Sequence, residues 1–386
     1  MVVFRKARLR QTRITTIFLI SLCSLLWVPH SWPSNVNAAG SQENSALLSS
    51  IVGDIQSSEG LFLNLLFDYT VDITTQLPAE RLNVGKRYLK QSHEENRWVQ
   101  QGRRIYFKQQ NKADGAVGPN EVTTTAAFNG QRMRYLQTSR FESKEGRVAN
   151  IVTGEPPRIL AAKTPQSIGT HKTVPISEDL RNKTEVRLDG EETIQAIRCV
   201  RIVAIFRREN DAGEKGEVRT TYWLAPDRRY LPVRTEMCDT RYNIRIPYVR
   251  IETSDWREIE PGIEIPFKSV KTNYWEKDLR LGKKTIAAIT TITVTQVSLK
   301  PNFGDAFFED LQFQPGTLVY VVENGNIVES YTEGSPLWER PSIRKRLVWI
   351  LAVLCALLGI GVGAIFVRRR LRSRAIARNK VLASTS

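Results

Sequence analysis

The chain has 386 residues, 41% of them hydrophobic, and a formal net charge of +16. That length carries one large domain or two ordinary ones, with room for a sizeable core. The charge would suit a nucleic-acid binder if it were spread over a folded domain, but five basic residues lie in the first 13 positions and seven in the last 19. The remainder holds 44 basic against 40 acidic residues, which excludes that class.

At the N-terminus Arg5, Lys6, Arg8, Arg10 and Arg13 precede the apolar run 14–28, which Pro29 and Pro33 interrupt. A basic start followed by a short apolar core reads as a secretory signal peptide over residues 1–38, with Ala38 and Ala39 offering cleavage after either one. Retention as a signal anchor is the alternative. Cys23 follows Leu22 rather than a small residue, so lipidation is not expected there.

An exported domain is expected over residues 39–329. Residues 45–58 have helical spacing, with Leu47, Leu48, Ile51 and Ile55 on one face. Residues 61–74 then alternate strictly, placing Leu61, Leu63, Leu65, Phe67, Tyr69, Val71 and Ile73 on one face of a long strand. Further strand patterns cover 97–108, 121–128, 131–138, 192–208, 217–224, 230–238, 242–253, 255–259, 263–274 and 285–299. Asn129-Gly130 predicts a two-residue hairpin, and Glu260-Pro261-Gly262-Ile263 a type II turn, because Pro fixes φ at its second place and Gly accepts φ > 0 at its third. Residues 154–180, with Pro156, Pro157, Pro165 and Pro175, read as an irregular excursion ending in a helical turn at 177–180. The fold class is therefore mainly β: a single curved antiparallel sheet of about ten strands, an unclosed half-barrel with few helices.

A juxtamembrane stalk is expected over 330–346. It leads into residues 347–367, which carry no ionisable group and are bracketed by Arg344, Lys345 and Arg346 on one side and by Arg368, Arg369 and Arg370 on the other. At about 1.5 Å per residue such a helix matches a bilayer's hydrocarbon core, so a transmembrane anchor is predicted. The basic tail 368–386 places the C-terminus in the cytoplasm and the bulk outside, a single-pass topology in a bacterial inner membrane. Gly359 and Gly363 form one G-x-x-x-G, a weak signal for self-association of the span.

Outside the signal and the span only Cys199 and Cys238 remain, a low count that suits a bacterial envelope protein. The two form either a disulfide or a pair of buried free thiols, and spacing does not decide between them. Enzyme chemistry finds little support. His93 and His171 have no partners at metal-site spacing, and neither a G-x-S-x-G elbow, nor a P-loop, nor an H-E-x-x-H occurs. No catalytic residue, metal or cofactor is expected.

The initial helix, the long strand, the serial hairpins, the segment from Tyr222-Trp223-Leu224-Ala225-Pro226 to Leu231-Pro232-Val233-Arg234, the hairpin from Asp255-Trp256-Arg257-Glu258-Ile259 to Pro266-Phe267, and residues 308–316 together resemble the outer-membrane lipoprotein-sorting (LolA/LolB-like) superfamily, which includes the RseB-type sensor domain. The resemblance implies a half-barrel whose concave face takes acyl chains or lipidated partners. The apolar cavity candidates are Leu63, Leu65, Phe67, Tyr69, Val71, Trp98, Phe107 and Trp223, with Tyr106 and Trp256 as further aromatic liners. Each has an ordinary reading as core. An anchored member would act at the membrane surface as a receiver, holder or sensor. The other reading is a tethered protein-interaction or signalling module with a filled β core.

Overall fold

A computed structural model describes residues 42–77, 91–114, 121–141, 144–153, 164–171, 174–209, 215–309, 311–336, 348–351 and 353–354. The chain begins with α1 (Gln42–Gly60) and a 3-10 turn (Leu61–Leu63), then β1 (Asn64–Thr75), β2 (Gln91–Gln101), β3 (Arg104–Asp114), β4 (Glu121–Phe128), β5 (Arg132–Phe141) and β6 (Lys144–Thr153). After the short α2 (Ile176–Arg181) come β7 (Glu185–Ile194), β8 (Ile197–Glu209), β9 (Lys215–Ala225), β10 (Leu231–Asp239), β11 (Val249–Glu260) and β12 (Ile263–Tyr274). The short α3 (Glu276–Arg280) leads to β13 (Ile286–Ser298), and α4 (Asp305–Glu309) precedes the terminal pair β14 (Leu318–Glu323) and β15 (Asn326–Thr332).

The fifteen strands of the described residues form one sheet, unclosed among them, in the order β15-β14-β6-β5-β4-β3-β2-β1-β13-β12-β11-β10-β9-β8-β7. It is antiparallel throughout except where β14 pairs parallel with β6, a departure from the all-antiparallel expectation. The parallel pair needs a long crossover, and everything from β7 to α4 lies between the two strands.

Several predicted strands divide or merge. Residues 97–108 fold back at Gly102 (φ +59) to give β2 and β3, because glycine alone accepts that φ without strain. The run 192–208 breaks at Gln195 and Ala196, both at positive φ (51 and 63), so β7 and β8 meet in a tight turn built without glycine or asparagine. Conversely, 242–253 and 255–259 are not two strands. β11 starts at Val249 and runs through Asp255 (φ 54) to Glu260. The turn at Pro261-Gly262 forms as predicted, with Gly262 at φ 72. The chain also reverses after Phe128, but one residue later than predicted: Phe128 pairs with Met133 and Asn129 with Arg132, so the two-residue loop is Gly130-Gln131, and Asn129 Oδ1 accepts from the Gln131 and Arg132 amides at 3.1 and 2.9 Å. β15 continues to Thr332, past the expected start of the stalk at 330.

The sheet has two faces, set by alternation along each strand. The inner face carries the largest apolar cluster, including Leu65, Phe67, Trp98, Phe107, Ile265 and Ile292. At its β7–β9 end α1 and α2 cover it: Ile51, Ile55, Ile176 and Leu180 pack on Val186, Val200, Ile202, Ala204, Tyr222 and Leu224. The two helices are tied by Glu59, whose carboxylate accepts from the Ser177 amide at 3.0 Å and from the Ser177 hydroxyl. Beside them, residues 164–170 form a plug over β10–β12. Thr235 Oγ1 donates to Gly169 O and Ser269 Oγ to Ile168 O, each at 2.7 Å. Gly169 is needed by close approach rather than by φ, since a Cβ there would lie 2.5 Å from Pro232 Cγ. On the outer face α4 lays Phe307 and Phe308 against Leu66, Val99 and Tyr106.

The predicted signal peptide and basic tail, and most of the predicted span, lie outside the described residues. Of that span, 348–351 and 353–354 are helical. Among the described residues no helix is long and apolar enough to cross a membrane.

Candidate functional site

The half of the inner face between β13 and β5 is built from rows of residues paired across successive strands. One row runs Phe67, Trp98, Phe107, Ala126 and Tyr135. The next runs Tyr69, Asn96, Gln109, Thr124 and Gln137, and the third Val71, Glu94, Asn111 and Val122. Successive rows are about 6.6 Å apart, two residues along a strand. Character and burial change together along that direction. In the first row all but Tyr135 are buried; in the second Tyr69, Asn96 and Thr124 are buried while Gln109 and Gln137 are half-buried; in the third only Val71 is buried, with Glu94, Asn111 and Val122 half-buried. The face is thus greasy and closed at one end, polar and more open at the other.

Polar side chains within this gradient are incompletely satisfied. Glu94 accepts from Gln109 Nε2 at 2.9 Å and Asn111 Nδ2 at 3.0 Å. Burial nevertheless raises its carboxyl above the usual range, the hydrogen bond from Gln109 only partly opposing it. Burial likewise raises the Tyr135 phenol. Trp98 Nε1 and Asn111 Oδ1 are buried with no partner at hydrogen-bond distance among the described residues, whereas Asn96 turns its amide to Glu94. Such orphans carry a desolvation penalty, and two on one patch call for a ligand or water to meet them.

Of the residues singled out from sequence, Leu65, Phe67, Tyr69, Val71, Trp98 and Phe107 come together in one cluster. Leu63 does not join them: it sits in the 3-10 turn before β1, 51% exposed. Trp223 lies on the opposite face, since its neighbours Tyr222 and Leu224 point to the α1 side. It packs with Cys199 and Val233, donates from Nε1 to Glu192 Oε2 at 2.8 Å, and has the Arg234 guanidinium 5.7 Å from its ring centroid. Tyr106 is on the outer face beside Phe307. Cys199 and Cys238 are both free and buried. Through β9, Cys238 aligns with Ile205, six residues from Cys199 and so roughly 20 Å along the strand, far beyond disulfide reach.

The polar partners Glu94, Asn96, Gln109 and Asn111 were absent from the sequence reading, which sought only apolar liners. Their place was nonetheless implied, because period-two alternation back from Trp98 puts Asn96 and Glu94 on the same face. Among the described residues no group of three or more His, Cys, Asp or Glu could hold a metal ion.

No family model and no curated protein matches the chain. Solved structures do. A DUF1329-family protein of Desulfovibrio piger is similar at 14% identity over 68% of this chain and 97% of that one, with a TM-score of 0.38. A putative outer-membrane lipoprotein-sorting protein domain of Vibrio parahaemolyticus is similar at 10% identity over 67% and 95%, with a TM-score of 0.34. The lipoprotein LppX of Mycobacterium tuberculosis is similar at 9% identity over 66% and 98%, with a TM-score of 0.26.

Proposed function

We propose that this chain is a non-catalytic envelope protein that binds an amphiphile, an acyl lipid or the acylated end of a lipoprotein, on the inner face between β13 and β5. Residues 347–367 tether it to the inner membrane with the sheet outside the cytoplasm. The observation that carries the reading is the graded face, apolar at the Phe67–Trp98–Phe107 row, where only Trp98 Nε1 lacks a partner, and polar at Glu94 and Asn111 two rows away, where Asn111 Oδ1 is unmatched. An acyl tail fits the first part and an ester or acid head the second. Burying eight methylenes would contribute about 6 kcal/mol, equivalent to a Kd on the order of tens of micromolar.

A tethered protein-interaction module is the second reading. It is favoured by the covering of the β7–β12 half of the same face by α1, α2 and the plug. Titration of the full-length chain, held in an amphipol, with an environment-sensitive fatty-acyl probe separates the two. Saturable binding that Tyr135→Glu weakens at least tenfold, with the thermal melt retained, supports amphiphile binding. A folded wild type that binds no acyl probe favours the interaction module.

A further inference from the structure

Lys271 lies mid-strand on β12, paired with Ile251 on β11 and Thr290 on β13, and Thr290 in turn pairs with Ile73 on β1. Alternation puts it on the inner face, two residues from Ser269, whose hydroxyl holds the plug at Ile168 O. It therefore stands where the plugged half of the face meets the open half, one row beyond Val71 and Glu94, at the polar end of the gradient. The fully buried cation Lys183, on the α2 side, is matched: it bonds Asp179 at 3.0 Å. Lys271 is half-buried, and among the described residues it makes no hydrogen bond or ion pair. Desolvation lowers its pKa, and no carboxylate of the described residues opposes the shift. An ordinary account is a long side chain whose stem covers apolar surface while its head reaches water. That account leaves unexplained why the lysine sits inside a sheet face, at the polar end of its gradient, with no acid of the described residues beside it.

Building on the amphiphile reading above, the geometry points to an anionic ligand: an acyl chain bearing one carboxylate or phosphate, its head on Lys271 Nζ and its tail running toward Trp98 and Phe107. From the Lys271 row to the Trp98 row is six residues along the strands, about 20 Å, and three strand spacings of about 4.8 Å across, a diagonal of about 25 Å that the lysine side chain and a long acyl chain share between them.

The test is displacement of an uncharged dansyl-acylamide probe from the full-length chain in amphipol. Palmitate is compared with methyl palmitate, and lysophosphatidic acid with monoacylglycerol, so that carboxylate and phosphate heads are distinguished; inorganic phosphate alone serves as the tail-free control. The wild type should prefer an anionic lipid over its neutral counterpart by about tenfold. Lys271→Met should reduce that preference to twofold or less while leaving methyl palmitate affinity unchanged, and Lys271→Arg should keep it. Equal affinity for acid and ester in a probe-binding wild type would overturn the inference and leave amphiphile binding standing. A preference that survives Lys271→Met would overturn it too, by placing the head elsewhere. Absence of saturable probe binding would remove the amphiphile reading and this inference together.

Discussion

At the residue scale the tightest polar knot is Asp179 on α2, which accepts from Tyr222 Oη at 2.5 Å and pairs with Lys183 at 3.0 Å, all three buried. Burial first, and the neighbouring Asp179 second, hold the Tyr222 phenol protonated far above neutral pH. Removing one member leaves charge or dipole stranded, which costs more than the intact pair contributes. Asp179→Ala is therefore expected to lower stability by about 3 kcal/mol in urea unfolding, with Asp179→Leu combined with Lys183→Met recovering much of the loss. The thiols form a second case. Cys199 is fully buried and its pKa is pushed up from 9.0 to about 11, chiefly by desolvation. A raised acid pKa means that the fold holds this proton more tightly than the unfolded chain does. That contribution is complete below the unfolded pKa and is lost as pH rises from about 9 toward 11. At pH 8 Ellman's reagent should leave Cys199 and Cys238 unmodified in the native protein and titrate both after denaturation. Rapid native labelling of either would contradict their burial.

At the element scale β1 shows what alternation delivers. Leu65, Phe67, Tyr69 and Val71 all face the inner cluster as their spacing requires, while Asp68 faces outward to a two-pronged bond with Arg97 at 2.7 to 3.1 Å. Phe67→Asp should cost several kcal/mol by thermal or chemical melt, because it puts a charge in the cluster. Asp68→Asn should cost about 1 kcal/mol or less, since that pair is half exposed. Comparable losses would mean that the register is wrong. Elements lacking such a signal were harder to read. The turn at Gln195-Ala196 carries none of the residues that favour positive φ, so β7 and β8 read as one strand. β14 and β15 were legible and overlooked: Asn324-Gly325, at φ 50 and 78, is the same hairpin signal that marked Asn129-Gly130. The plug was beyond reach for a different reason. Its place depends on side-chain bonds from Thr235 and Ser269, 66 and 101 residues away in sequence, which no local pattern encodes.

At the scale of the whole molecule a single fifteen-stranded sheet, unclosed among the described residues, must cover its apolar face with other parts of the chain or with a ligand. Among the described residues, helices and plug cover the β7–β12 half, and on the proposed reading the graded half between β13 and β5 is where an amphiphile would complete the fold. Mainly β architecture, a single sheet and few helices followed from composition and period. The polar half of the site did not, because its residues acquire meaning only when rows from five strands are set side by side. Photoaffinity labelling tests the central claim most directly. The full-length chain in amphipol is irradiated with a palmitate analogue bearing a diazirine near the tail end, and labelled peptides are mapped by mass spectrometry. The account predicts saturable labelling, competed by unlabelled palmitate, on inner-face residues of β1 to β5, centred on Trp98 and Phe107. Labelling confined to the outer face around Phe307, or none that palmitate competes, would contradict it.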